Sequence, residues 1–315
     1  FTLRPGNVND ITVGVVFAQA ESGGRLASVA KLYTADDKAQ ALFDNCFQVL
    51  NGPDAPEVVI QELNQELIFY LSNSDISNNR EEFGDPYEEL DPNIVTPEFL
   101  LNQTPPVFYD QFYRFQGYQV YQLAGPGISI GDIEDPEKAR LVFQADVKDN
   151  VADLINYTFD EELQASVPIK KVQAANEGIS RSFRITQDLF ASGNNQLVNF
   201  KTYYYLAIAY GYNQFKPYAQ DVAPDEDNPF APASDGQKIP YISSRRGADG
   251  GEVKVITAIP HNPLFEEGGT VQNSNYGDQI QITRLQGRGN GGRELEIAQS
   301  SIENILDEKT WENDS

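Results

Sequence analysis

The run Tyr203-Tyr204-Tyr205-Leu206-Ala207-Ile208-Ala209-Tyr210 constrains this chain more than any other segment. Aromatic side chains lose rotamer freedom in a helix and pack well on a pleated surface, and a run this short is strand-sized. So apolar a strand needs partners at its edges and cover for its faces. The sequence offers both. Val58-Val59-Ile60 and Leu67-Ile68-Phe69-Tyr70-Leu71 lie a few polar residues apart, like the arms of a hairpin. Phe115–Leu123 alternates as a strand with one wet face does, and Arg140–Val147 and Ile179–Ile185 look similar. Glu252–Ile259 reads as a terminal strand. The expectation is a mostly β, antiparallel sandwich with strands at 57–62, 66–72, 115–123, 203–210 and 253–259 in two packed sheets.

Turn chemistry then divides the chain. Asn51-Gly52-Pro53-Asp54-Ala55-Pro56 is a dense turn and marks a boundary. Before it, Ile11–Ala18 is nearly continuously apolar, as a strand covered on both faces is, and Leu26–Phe47 has helical apolar spacing. Residues 1–54 are therefore expected to be a strand-helix segment closing an upstream domain. Its strand is expected to pair with polypeptide beyond these residues or with a second copy, because an unpaired apolar edge templates aggregation. The chain starts at Phe1 and contains no Met, so processing from a longer precursor is expected. Residues 55–262 are expected to form the sandwich, with polar excursions at 73–111 and the proline-rich 214–250. Residues 263–315 read as a small β-rich appendix, with strands at 279–285 and 294–298 and a weak helix at 302–306.

Charge and rare residues remove several function classes. Lys and Arg total 23 against 47 Asp and Glu, a net charge of −24. That field repels phosphate backbones and anionic membrane, so nucleic acid is not an expected partner. No apolar run approaches the roughly 20 residues of a membrane-spanning helix. The single cysteine, Cys46, allows no intrachain disulfide and reads as a small buried hydrophobe. The single histidine, His261, sits in a turn between Pro260 and Asn262-Pro263, and no nucleophile-elbow motif accompanies it. One His and one Cys also cannot make the usual zinc or iron–sulfur ligand sets. Gly287-Arg288-Gly289-Asn290-Gly291-Gly292 matches G-x-G-x-x-G, but Glu294–Ile297 alternates as a strand, which suits a hairpin loop rather than a dinucleotide site. No enzyme and no organic cofactor is expected.

Two sets of residues are candidate sites. Asp85, Glu88 and Glu89 in one acidic loop and Asp225, Glu226 and Asp227 in another offer the hard oxygens that calcium prefers, without EF-hand spacing. Plain solvation of charged loops is the other reading. Tyr109, Phe112 and Tyr113 follow Pro105-Pro106, and Phe215 and Tyr218 stud the later excursion. They make either an exposed patch for a sugar or a protein or the packing of the long loops.

Three segments carry a resemblance. Pro56–Ile60 is a proline-led opening strand, Phe115-Gln116-Gly117-Tyr118-Gln119-Val120-Tyr121 has an aromatic, a Gly-Tyr pair and an alternating run, and Leu197–Tyr210 has a Leu, a short turn and an aromatic strand. Residues 55–260 thereby resemble a fibronectin type III domain with large insertions. Phe69 and Tyr70 stand where that family usually carries a core Trp. The resemblance implies a sandwich in which Tyr203 or Tyr204 is the tyrosine-corner residue, its hydroxyl bonded to upstream backbone. Asp36–Asn45, Phe115–Tyr121 and Thr257–Pro263 are also similar to segments of large secreted proteins of Bacteroidetes, in which this region often precedes a type IX secretion sorting domain. That implies export and display outside the cell. The expected function is a non-catalytic extracellular structural or adhesion module, with a carbohydrate-binding module and a polysaccharide hydrolase fragment as alternatives. Its expected partners are other parts of its precursor, cell-surface proteins or glycans.

Overall fold

The computed structural model describes residues 15–18, 25, 26, 28, 29, 32, 33, 36, 50–160, 163, 165–265 and 274–278. Strands dominate, and every pairing between them is antiparallel. β1 (Glu57–Leu63) and β2 (Glu66–Ser72) turn at Asn64-Gln65, where Gln65 takes a left-handed φ of 57°. β2 pairs on its other edge with β8 (Ser182–Ile185), giving a sheet of order β1-β2-β8.

The second sheet is built on β9 (Tyr203–Tyr212) and β4 (Phe112–Leu123). β5 (Ala139–Asp146) and the short β3 (Glu88–Leu90) share the far edge of β4. β10 (Tyr241–Ser243) and β11 (Ile256–Ala258) share the far edge of β9. β6 (Asp153–Asp160) and β7 (Ala165–Gln173) form a separate hairpin, and a single helical turn, α1 (Glu98–Leu101), lies between β3 and β4.

The two large sheets meet through a dry aromatic core. Leu67, Phe69 and Leu71 of β2 and Phe183 of β8 pack against Tyr118 and Val120 of β4 and Tyr205 and Ala207 of β9. Phe69 meets Tyr205 edge-on at 4.9 Å between centroids and stacks on Phe183 at 5.0 Å. Each ring removed from water in this way contributes about 1.5–3 kcal/mol. Leu206 and Ile208 point to the opposite face of β9, where Leu123 and Ala139 bury them. β9 is therefore covered on both sides, which is why its sequence is apolar without alternation.

The expected wet face of Phe115–Leu123 is absent. Gln116, Gln119 and Gln122 are buried, each by its own hydrogen bonds. Gln119 Nε2 donates to Lys171 O of β7 at 3.1 Å, and Gln119 Oε1 accepts from Tyr241 Oη at 3.0 Å. The β6–β7 hairpin thus lies over the outer face of this sheet, with Leu154 and Val172 packed on Tyr210 and Tyr241. Gly117 is required here. A Cβ on it would stand 2.2 Å from Ala145 O, a contact that only backbone movement relieves.

The connection into β9 is pinned twice. Tyr203 Oη accepts from the backbone N–H of Val198, five residues upstream, at 2.9 Å. Nearby, the buried Asp188 carboxylate accepts from Lys201 Nζ at 2.7 Å, Gln122 Nε2 at 2.8 Å and Phe190 N at 3.0 Å. Burial pushes its carboxyl up, but the bonds from Lys201, Gln122 and Phe190 outweigh burial and hold it below the ordinary carboxylate value.

The polypeptide enters β1 past Asp54, whose Oδ1 accepts from Arg246 Nε at 3.0 Å, and leaves β11 at the other end, where His261 N donates to Leu63 O at 3.1 Å. Two compact units are present, residues 1–269 and 270–315, the second described only at a turn where Asp278 N donates to Asn275 O at 3.1 Å. In the expected N-terminal segment, residues 25, 26, 28, 29, 32, 33 and 36 are helical, whereas residues 15–18 form no strand and Val15 and Phe17 are exposed. The rest of that segment's strand, Cys46, the glycine motif at 287–292 and the elements expected beyond residue 278 lie outside the described residues.

Two outcomes follow from this frame. Tyr203→Phe leaves the Val198 N–H without its acceptor and lowers unfolding free energy by about 1 kcal/mol or somewhat more in urea titration, with the m-value unchanged. Asp188, with its depressed folded value, contributes stability that is complete above the unfolded carboxyl value near 4 and is lost as pH falls through the folded value. Wild type therefore loses stability more steeply below about pH 4 than Asp188→Asn, which is the less stable protein at neutral pH; parallel acid limbs would contradict this.

Candidate functional site

Strand direction decides where the long connections go. β2 ends at Ser72, β5 at Asp146 and β9 at Tyr212, and the register sets Asp146 opposite Gly117 and Tyr212 opposite Arg114, close to the start of β4. Asn73 Nδ2, just past β2, donates to Tyr118 Oη at 2.7 Å. The long connections at 73–111, 147–181 and 213–255, termed insertions below for their length alone, all leave from this one pole. The opposite pole carries the remaining connections.

The insertions are tied to one another. Tyr113 Oη, in β4, donates to Ile239 O at 2.6 Å, and Tyr109 Oη donates to Pro229 O at 3.0 Å. Asn213 Nδ2 donates to both Asp110 O and Phe112 O at 2.9 Å. Asn156 of β6 exchanges two bonds with the backbone of Tyr241, at 2.9 and 3.0 Å. Tyr157 and Tyr218 meet edge-on at 4.8 Å, with Lys238 Nζ 5.0 Å above the Tyr218 ring. This crown is a braced structure, not a set of loose loops.

Of the aromatics read as either an exposed patch or loop packing, Tyr109 and Tyr113 take the packing role: both are buried. Phe215 packs on Tyr109 at 4.9 Å, within a small apolar cluster that includes Ile94 and Leu100. Long insertions need a core of their own, and these rings supply it. Of the five aromatics singled out, Phe112 alone lines a cavity described here, one of about 380 Å3 where the three insertions meet.

Arg114, Asp149, Tyr212 and Gln214 line the same cavity. Arg114 Nε donates to Glu88 Oε1 at 2.9 Å and Nη1 to Asp110 Oδ2, and these bonds, led by that to Asp110, hold the guanidinium charged. Asp149 accepts from Gln116 Nε2 at 3.0 Å and from Val151 N at 2.9 Å. Burial first, and Asp149 second, push the Tyr212 hydroxyl up, so it stays protonated and donates to Gln214 Oε1 at 3.0 Å. Sequence reasoning missed this set because its members are far apart in the chain: Arg114 lies in β4, Tyr212 at the end of β9, and Asp149 and Gln214 in two different connections.

The acidic residues are engaged differently. Glu88 and Glu89 lie in β3 rather than in a loop, and Glu89 Oε1 accepts from Asn51 N at 3.0 Å. Asp85 pairs with Arg80, and Asp225 Oδ1 accepts from Asp227 N at 3.0 Å while Glu226 is exposed. Among the described residues, no three His, Cys, Asp or Glu side chains gather as a metal ligand set. His261, at the opposite pole, has Nδ1 2.7 Å from Ile259 O and 3.4 Å from Glu62 Oε2.

Comparison with protein-family models, with curated proteins and with solved structures finds no match to this chain.

One element of the crown has a measurable asymmetry. Lys216 is 1% exposed and pairs with Asp235 at 2.6 Å, whereas Asp235 is 41% exposed. Removing the acid strands a buried ammonium, so Asp235→Ala costs roughly 1–3 kcal/mol, moderated by water reaching the acid's side. Lys216→Met keeps the stem and removes the charge, and is neutral or stabilising. Chemical denaturation of the two variants gives opposite signs, or Asp235→Ala alone moves.

Proposed function

We propose that this chain is a non-catalytic recognition module displayed outside the cell, a fibronectin type III-like sandwich that meets its ligand with the crown at one pole. The observation that carries the reading is the convergence of three insertions on that pole, cross-braced around a cavity of about 380 Å3. Loops on a rigid scaffold are where binding is concentrated, and bracing lowers the ordering cost of binding.

The strand order supports the family part of the reading. β1-β2-β8 faces β11-β9-β4-β5, and the insertions fall in connections, leaving this frame intact. The Tyr203 hydroxyl bonded to Val198 supports it as well. Export rests on the resemblance of Asp36–Asn45, Phe115–Tyr121 and Thr257–Pro263 to secreted proteins of Bacteroidetes. The net charge of −24 suits a molecule in salty water, where screening over about 10 Å blunts self-repulsion.

Antibody raised to the chain tests the location directly. Intact source cells, or their culture medium, carry the signal; a signal that emerges only after permeabilisation overturns the reading. Antibody fragments against the crown abolish attachment of chain-coated beads to an extracellular surface, while fragments against the β1-β2-β8 face leave it unchanged.

A further inference from the structure

The pole cavity has a chemistry that narrows its ligand. Its charged lining is Arg114, Asp110 and Asp149, one cation and two anions. An anionic ligand meets two carboxylates inside a chain whose net charge is −24. A cationic ligand meets the Arg114 guanidinium, already seated between Asp110 and Glu88. Neither charge sign has a vacant counter-ion, because Asp110 is paired with Arg114 and Asp149 is held by Gln116 and the Val151 amide.

What the lining does offer is neutral and two-faced. Phe112 is 38% exposed, and the Arg114 guanidinium carbon lies 5.8 Å over its ring centroid, so the apolar surface on offer is the ring area that Arg114 leaves bare. Around it stand groups with hydrogen-bonding capacity to spare. The Tyr212 hydroxyl donates to Gln214 Oε1, which orients the Gln214 amide and leaves its Nε2 hydrogens and the lone pairs of Tyr212 Oη for a ligand. Arg114 uses Nε and Nη1 and has no partner for Nη2 among the described residues. An apolar plate flanked by fixed donors and acceptors of both kinds matches a pyranose ring, which presents C–H groups on a face and hydroxyls at its rim.

We propose that this cavity binds a neutral sugar unit, seated on Phe112 and hydrogen-bonded by Gln214, Tyr212 and Arg114. The proposal rests on the crown being the recognition surface and adds the class of molecule recognised. Cavity size agrees, since about 380 Å3 lies at the lower end of the roughly 300–1,000 Å3 typical of small-ligand sites.

Isothermal calorimetry on the full chain decides it. The probes are neutral oligosaccharides of glucose, xylose, mannose, galactose and N-acetylglucosamine, set against polygalacturonate, heparin and an arginine-rich peptide. At least one neutral oligosaccharide binds with favourable enthalpy. Phe112→Ala weakens that binding at least tenfold, and Gln214→Ala weakens it severalfold. Tyr70→Ala, on the exposed face of β2, leaves it unchanged. Unfolding midpoints measured alongside show that both crown variants are folded, and Gln214→Ala serves alone if Phe112→Ala is not. Binding of the charged probes only, or neutral-sugar binding indifferent to both crown variants, overturns the sugar assignment. Charged-probe binding that Phe112→Ala removes sinks the sugar while leaving the crown as the recognition surface. Failure of every probe, with crown-directed antibody also failing to block attachment, sinks both.

Discussion

β9 is buried along nearly its whole length and on both faces, and the other elements are arranged by what that burial requires. One face takes the Phe69–Tyr205 contact and so fixes the distance between the two sheets. The other face buries Leu206 and Ile208 under the β4–β5 connection and Tyr210 under the β6–β7 hairpin. A strand with no wet side cannot be an outer layer. The sandwich is accordingly three layers deep where the hairpin lies, and the hairpin is part of the fold instead of an appendage on it.

Polar burial then fixes where that third layer sits. Apolar packing alone tolerates small slides, but the buried glutamines have partners in one position only: Gln116 on Asp149 ahead of β6, Gln122 on Asp188 and the Leu189 amide, and Gln119 on the hairpin itself. Gln119 is the clearest case, reaching Lys171 O in β7, Gln144 in β5 and Tyr241 beside β9. Moving the hairpin by one residue would strand a buried amide, at about 1–3 kcal/mol per lost partner. The same residues gave the sequence its deceptive look of an amphipathic strand.

The frame was legible because its strands follow from local chemistry. β1, β2, β4, β5, β8 and β9 each fall on an alternating or aromatic run, and the excursions at 73–111 and 214–250 were visible from their Pro, Asn, Asp and Glu content. β6 and β7 were not seen, although Ile155, Tyr157 and Phe159 alternate. Pro168 in β7 argues against a strand in sequence, yet in a two-stranded hairpin it occupies an edge where no ladder bond is lost. The short β3 and β10 carry no pattern of their own and exist because β4 and β9 offer open edges. The cavity was the least legible feature. Phe112 could be named from sequence, but Arg114, Asp149, Tyr212 and Gln214 are brought together only by strand direction, and Tyr109 and Tyr113 differ from a binding patch only in being covered.

The polypeptide enters the sandwich at the crown pole, past Asp54 and Arg246, and leaves beside Leu63 at the other. Tension along the chain would therefore act parallel to the strands. In antiparallel pairs pulled from opposite ends, the bonds between β1 and β2 and between β11 and β9 carry the load together, in shear, rather than opening one after another as a zip does. Shear loading asks many bonds to fail at once, so resistance to force depends on the rate of that single event. A module joined end to end in this way transmits load through its two sheets, while the crown sits at the end where the chain comes in.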